Sequence, residues 1–225
     1  MEVRLSQLNT DEVLRYMGCP PEKADVSLCA AVERGAREML RAAVPRWAYR
    51  VFDLTVEEGG VRLSGGLLLP GADLKAHLSG CSRAVLFCAT LGVEADRLIR
   101  RAEPRDPLEM LILDNCGTAA VEELCDGIER ELQGRFPGCY FPFRYSPGYG
   151  DLPISLQGDL LQLLDAPRRV GLTATDRHLL VPRKSVTAIL GVSDTPVPSH
   201  IRSCLACAGY HSCQYRKSGG HCGIS

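Results

Sequence analysis

Apolar residues recur at helical spacing, every three or four positions, in several segments of the chain. The first helix is expected to be capped by Thr10 or Asp11. In residues 25–43, the apolar side is expected to run from Val26 to Val44. The predicted helices cover residues 10–18, 25–43 and 72–79, a segment that begins at Gly92, residues 106–132, and a segment that begins at Ser155.

Other segments have the alternating or continuous apolar pattern that is typical of strands. The predicted strands cover residues 49–56, 61–64, 84–90, 171–175, 178–181 and 185–192. The Glu-Glu-Gly-Gly of residues 57–60 predicts a hairpin turn. Strands and helices are mixed without the regular alternation of a doubly wound sheet. The pattern therefore predicts an α+β fold, with an antiparallel or mixed sheet flanked by helices.

Composition divides the 225 residues into three parts. Residues 1–45 are a helical segment, residues 46–195 are the α+β domain, and residues 196–225 are a cysteine-rich tail. A net charge of −1 gives no broad basic field for nucleic acid or for an anionic membrane. Because there is no signal-peptide pattern and no membrane-length apolar run, we expect a cytoplasmic protein.

The segment Arg-Tyr-Ser-Pro-Gly-Tyr-Gly-Asp-Leu-Pro at residues 144–153 concentrates the residue types that shape loops and bind ligands. Proline fixes φ and glycine frees it, so this segment is expected to be a shaped loop. Arg144 can form a two-pronged bond to a carboxylate, and Tyr149 can stack or donate a hydrogen bond. Chemistry alone leaves two alternatives open, a rigid surface turn and a site for an amino-acid-like ligand.

The Arg-x-x-Pro-Gly-Tyr string of this loop resembles the S-adenosylmethionine-binding loop in the activation domain of cobalamin-dependent methionine synthase. The Gly-Leu-Thr of residues 171–173 and the Pro-x-x-Ser-Val of residues 182–186 recur at comparable distances in that family. The resemblance covers roughly residues 80–195. It implies an activation-domain-like fold.

The resemblance also implies roles for individual residues. Arg144 and Tyr149 would contact S-adenosylmethionine, Ser146 would add a backbone contact, and Pro147 and Gly148 would shape the loop.

An acidic residue on the long helix binds the ligand's ammonium group in that family. The resemblance implies this role for Glu122, and an alignment shifted by one turn gives it to Thr118. A solvent-facing position for Glu122 and Glu123 is the other interpretation. The family has Tyr-Pro-Ala-Cys-Pro where residues 149–153 read Tyr-Gly-Asp-Leu-Pro, so Asp151 departs from its pattern.

Three further polar features predict no site. Lys184 is expected to be a surface charge. Asp176-Arg177-His178 is superficially similar to the Asp-x-His of cobalamin-binding modules, but those modules need a glycine where this chain has Val181. Seven of the eleven cysteines are scattered and are expected to be small core residues, namely Cys19, Cys29, Cys81, Cys88, Cys116, Cys125 and Cys139.

The tail has the pattern Cys-x2-Cys-x5-Cys-x8-Cys, formed by Cys204, Cys207, Cys213 and Cys222. A Cys-x2-Cys pair places two thiolates on one turn, and two more cysteines complete a metal site. Zinc and an iron–sulfur cluster both fit four cysteines, and a disordered tail with reactive thiols is the alternative. Histidines that could replace a cysteine ligand are His200, His211 and His221.

Together these features predict a protein that binds S-adenosylmethionine and supports reductive methylation of cobalamin on a separate methionine synthase or related corrinoid methyltransferase. The chain would be one component of a methionine biosynthesis system, with a flavodoxin- or ferredoxin-type electron donor. Its role would be mainly to position the methyl donor, so no catalytic acid or base is predicted. Two alternatives are a metal-containing redox activator that does not bind S-adenosylmethionine and a zinc-stabilised interaction module.

Overall fold

The computed structural model describes residues 3–197 of the chain. The helices are α1 (Thr10–Tyr16), α2 (Val26–Ala42), α3 (Ala72–His77), α4 (Val93–Ala102), α5 (Pro107–Arg135), α6 (Gln157–Leu164) and α7 (Ala166–Val170). The strands are β1 (Arg46–Glu57), β2 (Gly60–Leu63), β3 (Leu68–Pro70), β4 (Arg83–Thr90), β5 (Thr173–Ala174), β6 (Leu180–Val181) and β7 (Ser185–Val192). Single 3-10 turns lie at Pro21–Lys23 and Ile154–Leu156.

Side-chain caps set where α1 and α2 begin. The side chain of Asn9 accepts the first free N–H groups of α1, so the cap predicted at Thr10 or Asp11 is wrong by one or two residues. Asp25 accepts the Leu28 N–H at 2.7 Å and caps α2. These caps satisfy backbone donors that have no partner within the helix.

Five strands form one sheet in the order β3-β2-β1-β4-β7. The β1–β2 hairpin pairs Glu57 with Gly60, as the Glu-Glu-Gly-Gly pattern predicts. A Cβ at Gly60 would lie less than 3.0 Å from the backbone of β3, so only glycine fits there. Strand β4 is buried from Ala84 onwards, which confirms the buried strand expected from its apolar run.

The pairings of the sheet are antiparallel. Strand β2 runs antiparallel to both β1 and β3. The Ser82 N–H donates to the Val192 carbonyl, and the Leu91 N–H donates to the Lys184 carbonyl. From Ser82 to Leu91 the chain runs along β4 in the forward direction, while their partners run backwards along β7, from Val192 to Lys184. Strands β4 and β7 are therefore also antiparallel. An α+β fold with an antiparallel sheet flanked by helices is confirmed.

Tertiary contacts divide the chain into two compact units, each assembled from three segments. The first unit is Met1–Ala48, Ala89–Gly134 and Ala166–Val186. It holds α1, α2, α4, α5, α7 and the β5–β6 pair. Its helices α2 and α5 approach closely at Gly35, where a Cβ would lie 2.6 Å from Ile112.

The second unit is Tyr49–Cys88, Arg135–Asp165 and Thr187–Ser225, and its described part ends at residue 197. It holds most of the five-stranded sheet, together with α3 and α6. The division predicted at residues 45 and 195 stays a prediction.

Burial differs from the predicted pattern at the ends of α2. Val26 is 87% exposed because it is the first residue of α2, and Val44 is 47% exposed because it lies beyond the last residue of the helix, Ala42. The buried face of α2 consists of Val32, Gly35, Ala36 and Met39. Within residues 3–197, no helix is long and apolar enough to cross a membrane.

None of the seven cysteines among the described residues forms a disulfide. Four are buried as predicted, namely Cys81, Cys88, Cys116 and Cys125, and the other three are half-buried. Burial raises the pKa of Cys81 to about 11 and that of Cys116 to about 12. A thiol with so high a pKa stays protonated near neutral pH and is a poor nucleophile.

Candidate functional site

Residues 144–153 form a compact double turn in the second unit. The Ser146 carbonyl accepts the Tyr149 N–H at 3.1 Å, with Pro147 and Gly148 between them. Gly148 has φ of 93°, so this is the proline–glycine arrangement of a type II turn. A second turn follows, in which the Tyr149 carbonyl accepts the Leu152 N–H at 3.0 Å. The segment is therefore the shaped loop that its prolines and glycines predict.

The chain that leads into this loop is paired with β7. Tyr145 and Ile189 exchange two backbone hydrogen bonds, of 2.9 and 2.7 Å. Tyr140 and Ser193 form a second such pair, with bonds of 2.8 and 3.0 Å. Because these bridges lie on both sides of residues 141–144, they fix the backbone of Arg144 relative to the sheet.

Helix α3 contacts the other end of the loop through Asp151. One carboxylate oxygen of Asp151 accepts the Ala72 N–H at 2.6 Å, and the other accepts the Asp73 N–H at 3.2 Å. The residue before the helix is Gly71, which has no side chain to serve as a cap. Asp151 thus supplies the N-terminal cap of α3 from a distant part of the sequence.

Aromatic side chains pack beneath the loop around His77, the last residue of α3. The His77 Nε2 lies 2.7 Å from the Phe143 carbonyl, which can only accept, so Nε2 carries the proton. The His77 ring lies 4.3 Å from the ring of Phe143 and 5.2 Å from that of Tyr145. The Tyr149 ring meets Tyr145 edge-to-face at 6.0 Å. The sequence did not indicate His77 as part of this site.

The environment of Tyr145 keeps its hydroxyl protonated. Burial, and then the nearby carboxylates of Asp73 and Asp151, raise the pKa of Tyr145 to about 12. Tyr145 is 7% exposed, whereas Tyr149 is 52% exposed. Tyr145 is therefore a packing residue, and the Tyr149 ring offers its surface to solvent or to a ligand.

The five residues implied for the loop differ in their exposure. Arg144 is 6% exposed, Pro147 is buried, and Ser146 is half-buried. Gly148 and Tyr149 are exposed. The structure thus brings all five into one loop, with a buried guanidinium at its start and an accessible tyrosine at its tip.

The residues considered for the ammonium group lie on α5, in the first unit. Glu123 forms an exposed ion pair with Arg130 at 2.9 Å. Glu122 is half-buried, and its charge adds to burial in raising the pKa of Tyr16. The Thr118 hydroxyl donates to the Asp114 carbonyl at 3.2 Å. The role implied for Glu122 stays a prediction.

Lys184 is not a surface charge, and that prediction is wrong. Lys184 is 9% exposed, and its Nζ lies 3.0 Å from both the Asp114 carboxylate and the Thr118 hydroxyl. Its aliphatic stem passes Gly117, where a Cβ would lie 2.9 Å from Cε. The Asp114–Thr118 pair therefore already binds an ammonium group from the chain itself.

The Pro-x-x-Ser-Val segment is a second structural element of the first unit. The Ser185 Oγ lies 2.7 Å from the Pro182 carbonyl and 2.7 Å from the Thr90 hydroxyl. Because a carbonyl can only accept, Ser185 donates to Pro182 and accepts from Thr90. The Arg183 N–H donates to the buried carboxylate of Asp96 at 2.7 Å. These contacts hold the turn that carries Lys184.

We expect replacement of Lys184 by methionine to lower the free energy of unfolding by about 1–3 kcal/mol, because the half-buried Asp114 loses its partner. Urea denaturation measures this change. The matched control is Arg37→Met, which removes an exposed pair with Glu33 (3.7 Å, both side chains 61% exposed). It should cost less than about 0.5 kcal/mol. Equal costs for the two variants would show that Lys184 contributes no more than a surface charge.

Of the remaining sequence features, one lies within residues 3–197 and the others lie outside the described residues. Asp176, Arg177 and His178 lie at the tip of the β5–β6 hairpin, where His178 has φ of 61°. Cys204, Cys207, Cys213 and Cys222, and the three tail histidines, lie outside the described residues. Among residues 3–197, no group of three or more His, Cys, Asp or Glu side chains is arranged to hold a metal ion.

Comparison with known proteins gives a fold but no sequence match. No family model matches the sequence, and none of the curated proteins matches it. Among solved structures, the chain is similar to the MetH reactivation domain bound to AdoHcy, with a TM-score of 0.61. The match covers 93% of this chain and 81% of that chain at 14% sequence identity. The chain therefore has the fold of a MetH reactivation domain, which is the fold that the Arg-x-x-Pro-Gly-Tyr resemblance implies.

Proposed function

We propose that this chain binds S-adenosylmethionine through the loop of residues 144–153 and supports reductive methylation of cobalamin on a separate methionine synthase or related corrinoid methyltransferase. One observation carries the proposal. The residues of the Arg-x-x-Pro-Gly-Tyr string form a single supported loop, on the fold of a domain that was solved with AdoHcy. AdoHcy is S-adenosylmethionine without its transferable methyl group, so the two ligands share the same amino-acid and adenosine parts.

Each loop residue has a role that fits its position. Arg144 binds the ligand carboxylate, since a buried guanidinium forms strong two-pronged bonds with a carboxylate. Tyr149 is exposed and packs on the ligand or donates a hydrogen bond to it. Ser146 adds a backbone contact, and the turn at Pro147 and Gly148 lets the backbone approach the ligand.

The chemistry that such a protein supports is a reductive methyl transfer. The partner's corrinoid would supply the cobalt that accepts one electron and the methyl group. The methyl group would come from the S-adenosylmethionine sulfonium, which would be left as AdoHcy. The methyl group needs no proton transfer, so the protein contributes position and orientation. It must hold the amino-acid end of the donor and leave the methyl group facing a corrinoid on the partner.

The cysteine-rich tail belongs to a separate part of the proposal. Cys204, Cys207, Cys213 and Cys222 would hold either an iron–sulfur cluster or zinc. A cluster would relay electrons from a flavodoxin- or ferredoxin-type donor, whereas zinc would stabilise the tail. Elemental analysis and the visible spectrum of the purified protein distinguish the two metals.

The test is reactivation of a Co(II) corrinoid partner with S-adenosylmethionine and a reductant, with and without the full chain. We expect the methylcobalamin spectrum to appear faster with the chain and only when S-adenosylmethionine is present. Calorimetry should show binding of both S-adenosylmethionine and AdoHcy. Reactivation that proceeds without any binding of S-adenosylmethionine would favour a redox activator. If the chain neither bound S-adenosylmethionine nor affected the partner, an interaction module would be the remaining alternative.

A further inference from the structure

We infer that Asp151 is a positioning residue that holds the loop of residues 144–153 in its binding conformation before any ligand arrives. This inference rests on the proposed function and deepens it. Asp151 lies two residues after Tyr149 in the sequence, and its carboxylate points away from the turn and onto α3. It therefore acts on the loop from the side of the protein rather than from the side of the ligand.

The cap that Asp151 forms joins two parts of the chain that are 78 and 79 residues apart. The first backbone N–H groups of a helix have no partner within the helix and attract negative charge. In α3 these groups are those of Ala72 and Asp73, and Gly71 cannot cap them itself. A Cβ at Gly71 would lie less than 3.0 Å from the Asp151 carboxylate. The helix therefore depends on the loop, and the loop is tied to the helix.

The other end of α3 holds the opposite side of the same loop. His77, 6% exposed, donates to the carbonyl of Phe143, the residue immediately before Arg144. One short helix thus contacts the chain just before Arg144 and just after Tyr149. With both ends fixed, the loop has little conformational freedom left to lose when a ligand binds.

The same arrangement explains why glycine precedes Asp151. A Cβ at Gly150 would lie less than 3.0 Å from the Tyr145 hydroxyl and from the Asp73 carboxylate. The two residues therefore act together: Gly150 lets the loop backbone approach Tyr145 and Asp73, and Asp151 makes the hydrogen bonds to α3. Gly150 and Asp151 stand where the family has Pro-Ala, so this chain departs from the family pattern at residues that support the loop.

The experiment compares Asp151→Ala with Asp25→Ala in the full chain. Both variants remove a carboxylate that caps a helix, but Asp25 caps α2 in the first unit. Hydrogen exchange of the ligand-free protein reports the amides of Ala72 and Asp73 on the helix and of Gly148 and Tyr149 in the loop. For Asp151→Ala we expect protection to fall at both places by about 2- to 30-fold, the effect of losing a cap. For Asp25→Ala we expect no change at either place.

Calorimetry with S-adenosylmethionine then separates positioning from stability. We expect Asp151→Ala to lower the affinity about tenfold and Asp25→Ala to leave it unchanged. Asp151→Asn keeps a carbonyl acceptor and should restore most of the affinity. If Asp151→Ala does not fold, Asp151→Asn takes its place in both measurements. We then expect a smaller loss of protection in the loop.

Two results would overturn the inference. The first is unchanged loop exchange in Asp151→Ala while the Ala72 and Asp73 amides lose protection, because Asp151 would then be a cap and nothing more. The second is wild-type affinity in a variant whose loop has lost protection. Failure of the wild-type chain to bind S-adenosylmethionine would instead refute the proposed function, and the exchange measurement on the ligand-free protein would still decide the role of Asp151.

Discussion

Replacement of Arg144 by alanine is expected to weaken binding of S-adenosylmethionine at least about 100-fold, the largest effect of any single loop residue. Arg144 is 6% exposed and lies in backbone that is paired with β7 on both sides. A carboxylate bound to its guanidinium would form two charge-assisted hydrogen bonds in a site of low dielectric constant. Calorimetry with S-adenosylmethionine and AdoHcy measures the loss, and both ligands should lose affinity equally because they share the carboxylate.

Arg144→Lys tests whether the two-pronged geometry matters as well as the charge. Lysine keeps the charge but binds as a point donor, so we expect an affinity between those of the wild type and Arg144→Ala. The matched control is Arg62→Ala in the β2 strand of the same unit. Arg62 binds Glu57 through two nitrogens, at 2.6 and 2.8 Å, and this pair is exposed. Arg62→Ala should bind the ligand normally, and a folded Arg144→Ala that did the same would remove Arg144 from the site.

Long elements with a regular pattern could be predicted from the sequence alone. The predicted helix at 25–43 is α2 (Val26–Ala42), and the predicted strand at 84–90 is β4 (Arg83–Thr90). Helix α2 buries one face and β4 is buried along almost its whole length. The spacing of apolar residues in the sequence therefore matches the burial in the structure. Strand β3 has three residues and helix α7 has five, and neither is long enough to show a period.

The candidate site was predictable to the extent that it is contiguous. Arg144 and Tyr149 lie in one ten-residue segment, so a local motif was sufficient to group them. The contacts that support them join distant residues, and no local pattern indicates such contacts. Asp151 reaches Ala72, and Lys184 reaches Thr118 66 residues away. A charged residue beside an apolar strand is expected to be exposed, but Lys184 is buried because α5 supplies its partner.

Replacement of Gly150 by alanine is expected to disrupt the loop from within. The added Cβ would lie less than 3.0 Å from the Tyr145 hydroxyl and from the Asp73 carboxylate. Asp73 can turn away, but Tyr145 is 7% exposed and its ring packs against His77 at 5.2 Å. The backbone of the turn must therefore move, which strains the bond from Asp151 to α3. We expect a loss of about 1–3 kcal/mol in the free energy of unfolding and of about tenfold or more in affinity for S-adenosylmethionine.

A control separates the collision from the cost of the left-handed backbone. Gly150 has φ of 49°, and Gly138 in the same unit has φ of 80°, but a Cβ at Gly138 would meet nothing within 4 Å. Gly138→Ala should therefore cost about 1–2 kcal/mol through its backbone alone and leave ligand affinity unchanged. Urea denaturation and calorimetry on both variants give the comparison. If Gly150→Ala retained wild-type affinity, the turn at Tyr149 would not need the geometry that Tyr145 and α3 impose on it, and ligand binding would have to depend on Arg144 without a fixed loop.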